Sequence, residues 1–276
     1  DNDTDSPVAE AYFSVVDNKM GVGATATTNT DIDYNDSHQQ LDLSLNFGTV
    51  EVRNPSREIC VKVLQNKRYD NIIVAPEATF QNTNGMKWEH CLIFDAGNEY
   101  KKFEILNVHQ PSMGVDRMRW FSPYYHAFLY TDKQRKNYIN SQEQNGSYVI
   151  RNEENVDNDT QSEYIIVHFS LDMPEVQGGD FYVCGQWTAY NFIPEYKMNY
   201  DESEQMYTAE ILMKQGYYNY LYLFVPHGSS EGSVIEAEGS FYQTENEYTV
   251  LVYARLQGER YDRLLGYRDF RFIPNK

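Results

Sequence analysis

The stretch Tyr218-Asn219-Tyr220-Leu221-Tyr222-Leu223-Phe224 indicates the fold class most directly. Its aromatic residues occupy every second position, and Asn219, Leu221 and Leu223 lie between them. Successive side chains of a β-strand point to opposite faces of a sheet, so this alternation predicts a strand with one aromatic face. Tyr and Phe also suit the half-buried, pleated surface of a sheet.

The same two-residue period recurs on both sides of this stretch. Alternating apolar residues also mark the segments 41–47, 59–63, 165–171, 207–213 and 248–253. No segment keeps a helical period for more than a turn or two. Turn-forming residues such as Asn54-Pro55-Ser56 and Asn145-Gly146 separate the segments. This pattern predicts an all-β protein, which we expect to form two tandem immunoglobulin-like antiparallel β-sandwich domains.

The length of 276 residues is typical of about two domains. The segment 151–163 carries five acidic residues and one apolar residue, and it shows no alternation, so it reads as a solvated linker. We therefore predict an acidic tail at 1–9, a first sandwich at 10–150, an acidic linker at 151–163 and a second sandwich at 164–276.

The net charge of −18 limits the classes of partner. A phosphate backbone or an anionic lipid surface would repel so acidic a protein, which argues against nucleic acid as a partner. No apolar run approaches the roughly 20 residues of a membrane helix, so no membrane insertion is expected.

One acidic loop resembles a calcium-binding loop. Asp31, Asp33, Asn35 and Asp42 stand at the spacing of four EF-hand ligands. The turn position that requires Gly is Asp36, however, and Asp42 lies inside a predicted strand. We expect a solvated loop here and no metal site.

The cysteines and histidines form no pattern that indicates catalysis. Cys60, Cys91 and Cys184 have no metal spacing, and we expect three small buried side chains, with a Cys60–Cys91 pair as the alternative. The six histidines show no zinc spacing, and no nucleophile elbow, P-loop or dinucleotide motif is present. The sequence therefore predicts a protein that is not an enzyme and has no cofactor.

The segment 179–190 points to a binding role. A predicted strand ends at Gly185, and Trp187 and Tyr190 follow in a loop. Together with 206–211 and 214–220, this order resembles the glycogen- and starch-binding β-sandwich modules of α-glucan enzymes, which stack exposed aromatic rings on sugars. The resemblance implies a carbohydrate or partner contact at Trp187 and Tyr190. The alternative is that Trp187 closes the end of its own sandwich.

A second resemblance covers most of the chain. Motifs occur in order at 13–17, 31–34, 38–42, 54–55, 63–71, 164–169, 212–220, 238–253 and 258–267. The last of them contains Gly258-Glu259-Arg260-Tyr261-Asp262. In these motifs the sequence resembles the plug protein family of the type IX secretion system, formerly catalogued as a domain of unknown function. The stretch 95–125 follows the family pattern only loosely.

The family resemblance implies a periplasmic, non-catalytic protein. Such a protein docks on the periplasmic mouth of a very large outer-membrane β-barrel translocon and closes it, so the implied partner is that barrel protein. Family members also carry a signal peptide and a further N-terminal β domain, so we expect this chain to be part of a longer exported protein. Recognition of α-glucans through the second sandwich is the alternative function.

Overall fold

The computed structural model describes residues 13–274, so the predicted acidic tail at 1–9 lies outside the described residues. Within residues 13–274, eighteen strands account for nearly all the regular structure. The helical part consists of two single-turn α-helices, α1 (Pro55–Glu58) and α2 (Asn158–Gln161), and two 3-10 turns at Gln186–Thr188 and Pro194–Tyr196. The all-β sandwich prediction is confirmed. No helix between residues 13 and 274 has the length and apolar character needed to cross a membrane.

The first third of the chain forms a four-stranded sheet and half of a second one. Its strands are β1 (Gly21–Thr28), β2 (His38–Asn46), β3 (Ile59–Gln65), β4 (Ile73–Val74), β5 (Phe80–Asn82) and β6 (Gly85–Asp95). The first sheet has the order β1-β2-β6-β5, whereas β3 and β4 pair with each other.

The middle of the chain forms a separate pair of sheets. Its strands are β7 (Lys101–Ile105), β8 (Val115–Phe121), β9 (Tyr124–Leu129), β10 (Asp132–Lys133), β11 (Tyr148–Ile150), β12 (Tyr164–Asp172), β13 (Gly179–Cys184), β14 (Asn199–Asp201), β15 (Met206–Lys214) and β16 (Gly216–Pro226). One sheet has the order β14-β15-β12-β9-β8, with β10 beside β12. In the other, β16 pairs with β7, β11 and β13.

The last two strands return to the beginning of the chain. They are β17 (Asn246–Ala254) and β18 (Arg263–Phe272), and they complete a sheet of order β18-β17-β3-β4. The first sandwich is therefore built from both ends of the chain, and the second sandwich is built from the residues between them.

Each sandwich has its own apolar core. In the first, the alternating Leu41, Leu43 and Leu45 of β2 pack against Val250 and Val252 of β17. In the second, the core lies between the two sheets of the middle segment and includes residues of both β12 and β16. Side chains at every second position of these strands point inward, as the sequence pattern predicts.

The predicted boundary at 151–163 is wrong. Residues Ile165–His168 of β12 pair in parallel with Tyr125–Phe128 of β9, so one sheet contains strands from both predicted domains. The segment 151–163 lies against the second sandwich, where the Glu153 amide donates to the Leu106 carbonyl (3.0 Å). The predicted first sandwich, 10–150, and second sandwich, 164–276, therefore both combine residues from two bodies. The low hydrophobicity of the segment 151–163 indicates that it is exposed, but it carries no information about which strands pair on either side of it.

The central strand β16 is buried on both faces. Its aromatic face, with Tyr218, Tyr220 and Tyr222, belongs to the core of the second sandwich. Its other face, with Leu221 and Leu223, contributes to a small apolar cluster that also contains Tyr100 and Tyr190. The alternation that predicted this strand therefore corresponds to two separate cores.

The junction between the sandwiches contains buried ion pairs. Arg68, in the loop after β3, donates to Asp70 through Nε (3.1 Å) and Nη2 (2.6 Å), and both side chains are almost completely buried. The same Nη2 donates to the carbonyl of Gly232 (2.7 Å), which follows β16. The pair thus joins a loop of the first sandwich to a loop next to the second.

Candidate functional site

Exposed aromatic and aliphatic side chains are arranged regularly on the outer face of the sheet formed by β8, β9, β12 and β15. Strand register places its outward side chains in three rows, each with one residue from every strand. We call these twelve residues the aromatic face: Arg117, Phe128, His168 and Glu210 in row one, Arg119, His126, Ile166 and Leu212 in row two, and Phe121, Tyr124, Tyr164 and Lys214 in row three.

The first row is a continuous series of contacts between charged groups and rings. The Arg117 guanidinium lies 4.4 Å from the centroid of the Phe128 ring, in cation–π geometry. Phe128 stacks on His168 with centroids 4.0 Å apart and planes inclined by 12°. His168 Nδ1 lies 3.5 Å from a carboxylate oxygen of Glu210. The row is therefore ordered by its own contacts without a bound partner.

A histidine pair joins the first row to the second. Nδ1 of His126 lies 2.7 Å from Nε2 of His168, so the two imidazoles share a hydrogen bond in which one N–H donates to the other ring. Burial lowers the pKa of His168, with smaller contributions from His126 and Arg117 against the opposing effect of Glu210. Phe121 packs edge-on against His126 (5.0 Å, 89°). The imidazole of His168 is therefore uncharged at neutral pH, and its contact with His126 lies at the centre of the aromatic face.

Large apolar side chains on this face remain exposed to solvent. Phe121 is 54% exposed and Leu212 is 51% exposed, and Tyr164 is similar. Exposed apolar patches of this kind mark protein–protein or ligand contact sites. Aromatic residues and Arg are also enriched at the energetic centres of protein interfaces. The aromatic face is therefore the best candidate for a contact surface.

Of the two predicted contact residues, Tyr190 is not at the surface. Its side chain is 4% exposed and lies in the apolar cluster between the sandwiches. Its hydroxyl is 2.9 Å from that of Tyr100 and donates to the Asn66 carbonyl (3.4 Å). The prediction of a sugar contact at Tyr190 is therefore wrong: the residue stabilises the junction.

A glycine makes room for the Tyr100–Tyr190 pair. Gly146 has a positive φ of 81°, and a Cβ at this position would lie 2.5 Å from the Tyr190 hydroxyl and 2.8 Å from a ring atom of Tyr100. Any other residue would be strained in its backbone and would displace the pair. The turn at Asn145-Gly146, which the sequence predicts, therefore also has a packing role.

Trp187 has the structural role that the sequence analysis gives as the alternative, which is to close the end of its own sandwich. The residue is partly buried, and its indole Nε1 donates to the Asn219 carbonyl (3.0 Å). The indole packs against the second core, stacking on Phe169 and meeting Tyr196 and Tyr218 edge-on. Its only polar group is thus already satisfied. Trp187 closes one end of the second sandwich and does not share a surface with Tyr190.

The residues of the calcium-like loop do not converge. The Asp31 carboxylate accepts the Asp33 amide (3.1 Å), whereas Asp42, inside β2, accepts the His90 amide (3.0 Å). No group of three or more His, Cys, Asp or Glu side chains within residues 13–274 is arranged to hold a metal ion. The loop 31–36 is largely exposed, as expected for a solvated turn.

The cysteines differ in environment, although the sequence predicted three buried side chains. Cys184 is buried, Cys91 is partly buried and Cys60 is exposed, so the prediction holds only for Cys184. All three are free thiols, so the alternative Cys60–Cys91 pair is not formed. Burial raises the pKa of Cys184 well above its usual value, which keeps that thiol protonated.

A second group of buried carboxyls lies at the junction. Glu99 accepts the Tyr138 hydroxyl (2.8 Å) and the Glu245 amide (3.1 Å). Burial, followed by the charge of neighbouring Glu99, raises the pKa of Glu143 to about 8. Glu143 is therefore protonated at neutral pH, and its carboxyl accepts the Asn145 amide. Local sequence gave no signal for this pair, because the two residues are 44 positions apart.

Lys101 and Glu238 form a further buried ion pair beside the core of the second sandwich. The Lys101 ammonium lies 2.5 Å from a Glu238 carboxylate oxygen, and Arg135 approaches the same oxygen at 3.4 Å. The Glu238 side chain also accepts the backbone amide of Tyr222 (3.0 Å). These charged groups contact one another and are almost completely shielded from solvent, so their role is structural.

Comparison with known proteins identifies a structural relative. No protein-family model matches the chain, and no curated protein matches it in sequence. The crystal structure of a hypothetical protein from Parabacteroides merdae superposes with a TM-score of 0.91 and 38% sequence identity. The match covers 94% of this chain and 66% of that protein. Nearly the whole fold described above is therefore shared with a longer protein from Parabacteroides merdae.

Proposed function

We propose that this chain is a non-catalytic interaction protein of the periplasm, a plug-like subunit that closes the periplasmic mouth of the type IX secretion translocon. The observation that carries the proposal is the aromatic face, an ordered surface that exposes Phe121, Tyr164 and Leu212. A contact surface of this composition needs no reactive group, and it gives binding energy through the burial of rings and aliphatic side chains.

The sequence motifs shared with the plug family support a common scaffold. Within the motif 238–253, Thr244, Asn246 and Tyr248 are buried and hydrogen-bond within the junction or the first sandwich, whereas the buried Glu238 pairs with Lys101 of the second sandwich. The motif thus specifies how the two sandwiches are joined. The resemblance supports the plug proposal through this architecture, and the contact surface is assigned from the geometry of the aromatic face.

The joined sandwiches also suit a body that must block an opening. Gln39 of β2 donates to the carbonyls of Tyr242 (2.9 Å) and Thr244 (2.8 Å), in the segment that leads back from the second sandwich. The Arg68–Asp70 pair and Tyr190 add buried contacts at the same junction. A plug that resists the passage of a chain benefits from such internal fastening, because a hinge between two bodies would let the seal open.

The test is a pull-down from detergent-solubilised envelope with the full-length protein as bait. We expect the wild-type protein to recover a large outer-membrane β-barrel and the variant Phe121→Ser with Leu212→Ser to lose it. The control variant is Val74→Ser with Tyr261→Ser, which removes two exposed apolar side chains from the first sandwich. If the wild-type bait recovers no barrel protein, the plug function is wrong.

A further inference from the structure

The aromatic face differs in charge from the rest of the molecule. It carries three permanent cations, Arg117, Arg119 and Lys214, and one carboxylate, Glu210. Its formal charge is therefore +2 with neutral histidines, whereas the whole chain has a net charge of −18. A locally cationic surface on a strongly acidic protein attracts acidic groups to that surface alone.

The cations flank an apolar centre. Arg117 and Arg119 lie on β8, the edge strand of the sheet, and Lys214 lies at the far side of the third row. Between them, Ile166 and Leu212 are neighbours in the second row. A partner that covers the centre must therefore place its own polar groups against the basic margin.

The margin includes a cation that is not neutralised internally. Arg117 donates to Asp116 (3.1 Å), and the Lys214 ammonium donates to the Asp159 carbonyl (2.5 Å). Arg119 is exposed, and among residues 13–274 it has neither an ion-pair partner nor a side-chain hydrogen bond. Its guanidinium keeps five donors in a planar fork, which matches a carboxylate in geometry.

The dimensions of the aromatic face limit what can bind. Neighbouring strands lie about 5 Å apart and alternate residues of a strand lie about 7 Å apart, so four strands and three rows cover roughly 15 Å by 15 Å. This area matches one peptide segment and is much smaller than a broad domain–domain interface.

We propose that the aromatic face binds an acidic segment of a partner protein, with carboxylates against Arg117 and Arg119 and apolar side chains over Ile166 and Leu212. This inference rests on the proposed interaction function and specifies the chemistry of the partner. A second copy of the chain would bring a face of the same charge. A lipid surface is extended and would also meet the acidic remainder of the protein, which has a net charge of −18, whereas a short segment contacts the aromatic face alone.

The experiment is site-specific photo-crosslinking in cells that produce the full-length protein, with p-benzoylphenylalanine at position 212. The control position is 261, where Tyr261 is exposed on the first sandwich. We expect position 212 to crosslink to a partner segment that has an excess of Asp and Glu. Arg117→Glu with Arg119→Glu should reduce the crosslink at least about tenfold, because like charges then face each other.

The matched charge control is Arg57→Glu with Arg260→Glu, which changes the net charge equally at two exposed arginines of the first sandwich. This control should leave the crosslink unchanged, and thermal melts should show both double variants folded. The inference is overturned if the crosslinked segment is neutral or basic, if it belongs to a second copy of the chain or to lipid, or if charge reversal on β8 has no effect.

The outcomes separate this inference from the plug proposal. If the crosslinked protein is not the barrel but its segment is acidic and depends on the two arginines, the plug proposal fails and the acidic-segment inference stands. If the barrel is crosslinked through a neutral segment, the plug proposal stands and the acidic-segment inference fails. An absence of crosslinks at position 212 overturns both.

Discussion

The junction between the sandwiches and the aromatic face reverse the usual distribution of residues. The junction buries charged groups, such as Arg68 and Asp70, whereas the aromatic face exposes Phe121 and Leu212. Proteins normally bury apolar side chains and expose charged ones, so a departure in either direction requires an explanation.

The explanation differs between the two regions. At the junction, Arg68 and Asp70 are paired with each other and with the backbone of Gly232, so their hydrogen-bonding capacity is used within the chain. On the aromatic face, the rings still have apolar surface to bury, and the Arg119 guanidinium still has hydrogen-bond donors to satisfy. We conclude that the junction residues maintain the structure, and that the aromatic face is available for a partner.

The largest effect is expected from breaking the buried ion pair. Asp70→Ala leaves the Arg68 guanidinium buried without its partner, and we expect the free energy of unfolding to fall by about 3–5 kcal/mol. Urea denaturation followed by circular dichroism measures this change. The control is Asp262→Ala, which breaks an equally bidentate but exposed pair with Arg255 and should cost less than about 1 kcal/mol. Equal losses in the two variants would contradict a structural role of the junction.

A smaller effect is expected from removing one buried hydroxyl. Tyr190→Phe leaves the Tyr100 hydroxyl without its partner in a buried site, and we expect a loss of about 1–2 kcal/mol in the same unfolding measurement. Tyr164→Phe, on the aromatic face, serves as the comparison and should change stability by less than about 0.5 kcal/mol. If Tyr190→Phe unfolds with the same free energy as the wild type, the hydrogen bonds of the Tyr190 hydroxyl do not stabilise the junction.

The buried carboxyl pair predicts a pH dependence. Burial and the charge of Glu99 raise the pKa of Glu143 to about 8, so the folded protein holds a proton that the unfolded chain releases near pH 4.5. The folded state therefore loses stability as the pH rises from about 4.5 to about 8.

Glu143→Gln should remove part of this loss, because the amide stays neutral. We expect its Tm at pH 8.5 to exceed that of the wild type by at least about 2 °C, and the difference to shrink toward pH 5. Differential scanning calorimetry across this range measures the effect, with the exposed Glu154→Gln as control. Parallel wild-type and Glu143→Gln curves would show that the pair carries no buried proton.

The smallest effect on stability is expected from substitutions on the aromatic face, which should have the largest effect on binding. Phe121→Ser with Leu212→Ser replaces two side chains that are half-exposed, so we expect the unfolding free energy to change by less than about 1 kcal/mol. Thermal and urea unfolding measure this directly. A large destabilisation would mean that the aromatic face supports the fold, and it would weaken the case for a contact surface.

Local pattern was sufficient to predict the strands but not their partners. The alternation at 41–47, 165–171 and 218–224 reflects which side chains point inward, and the structure confirms these strands. The pairing of β17 with β3 joins residues more than 180 positions apart, and nothing within either strand specifies it. For this reason the acidic, non-alternating segment 151–163 predicts a domain boundary that the pairing of β12 with β9 contradicts.

The candidate site was harder to predict for a related reason. Tyr190 lies in an aromatic loop. The residues around it do not distinguish a ring that is buried at a junction from a ring that is exposed and binds a sugar. The aromatic face did leave a signal: Ile166 and His168 lie on the side of β12 opposite to its core residues. An apolar residue on an outward face is informative only once the neighbouring strands are known, and β8 and β9 lie about 40 residues earlier.

The return of β17 and β18 to the first sandwich has a consequence for the order of assembly. During synthesis the middle segment is complete before β17, which pairs with one edge of β3, has left the ribosome, so the second sandwich is the first that can close. Until then the edge of β3 that pairs with β17 stays open, whereas its other edge is covered by the two-residue strand β4. A truncation that removes β17 and β18 takes two of the four strands from the sheet β18-β17-β3-β4, so we expect it to unfold the first sandwich although the first six strands are still present.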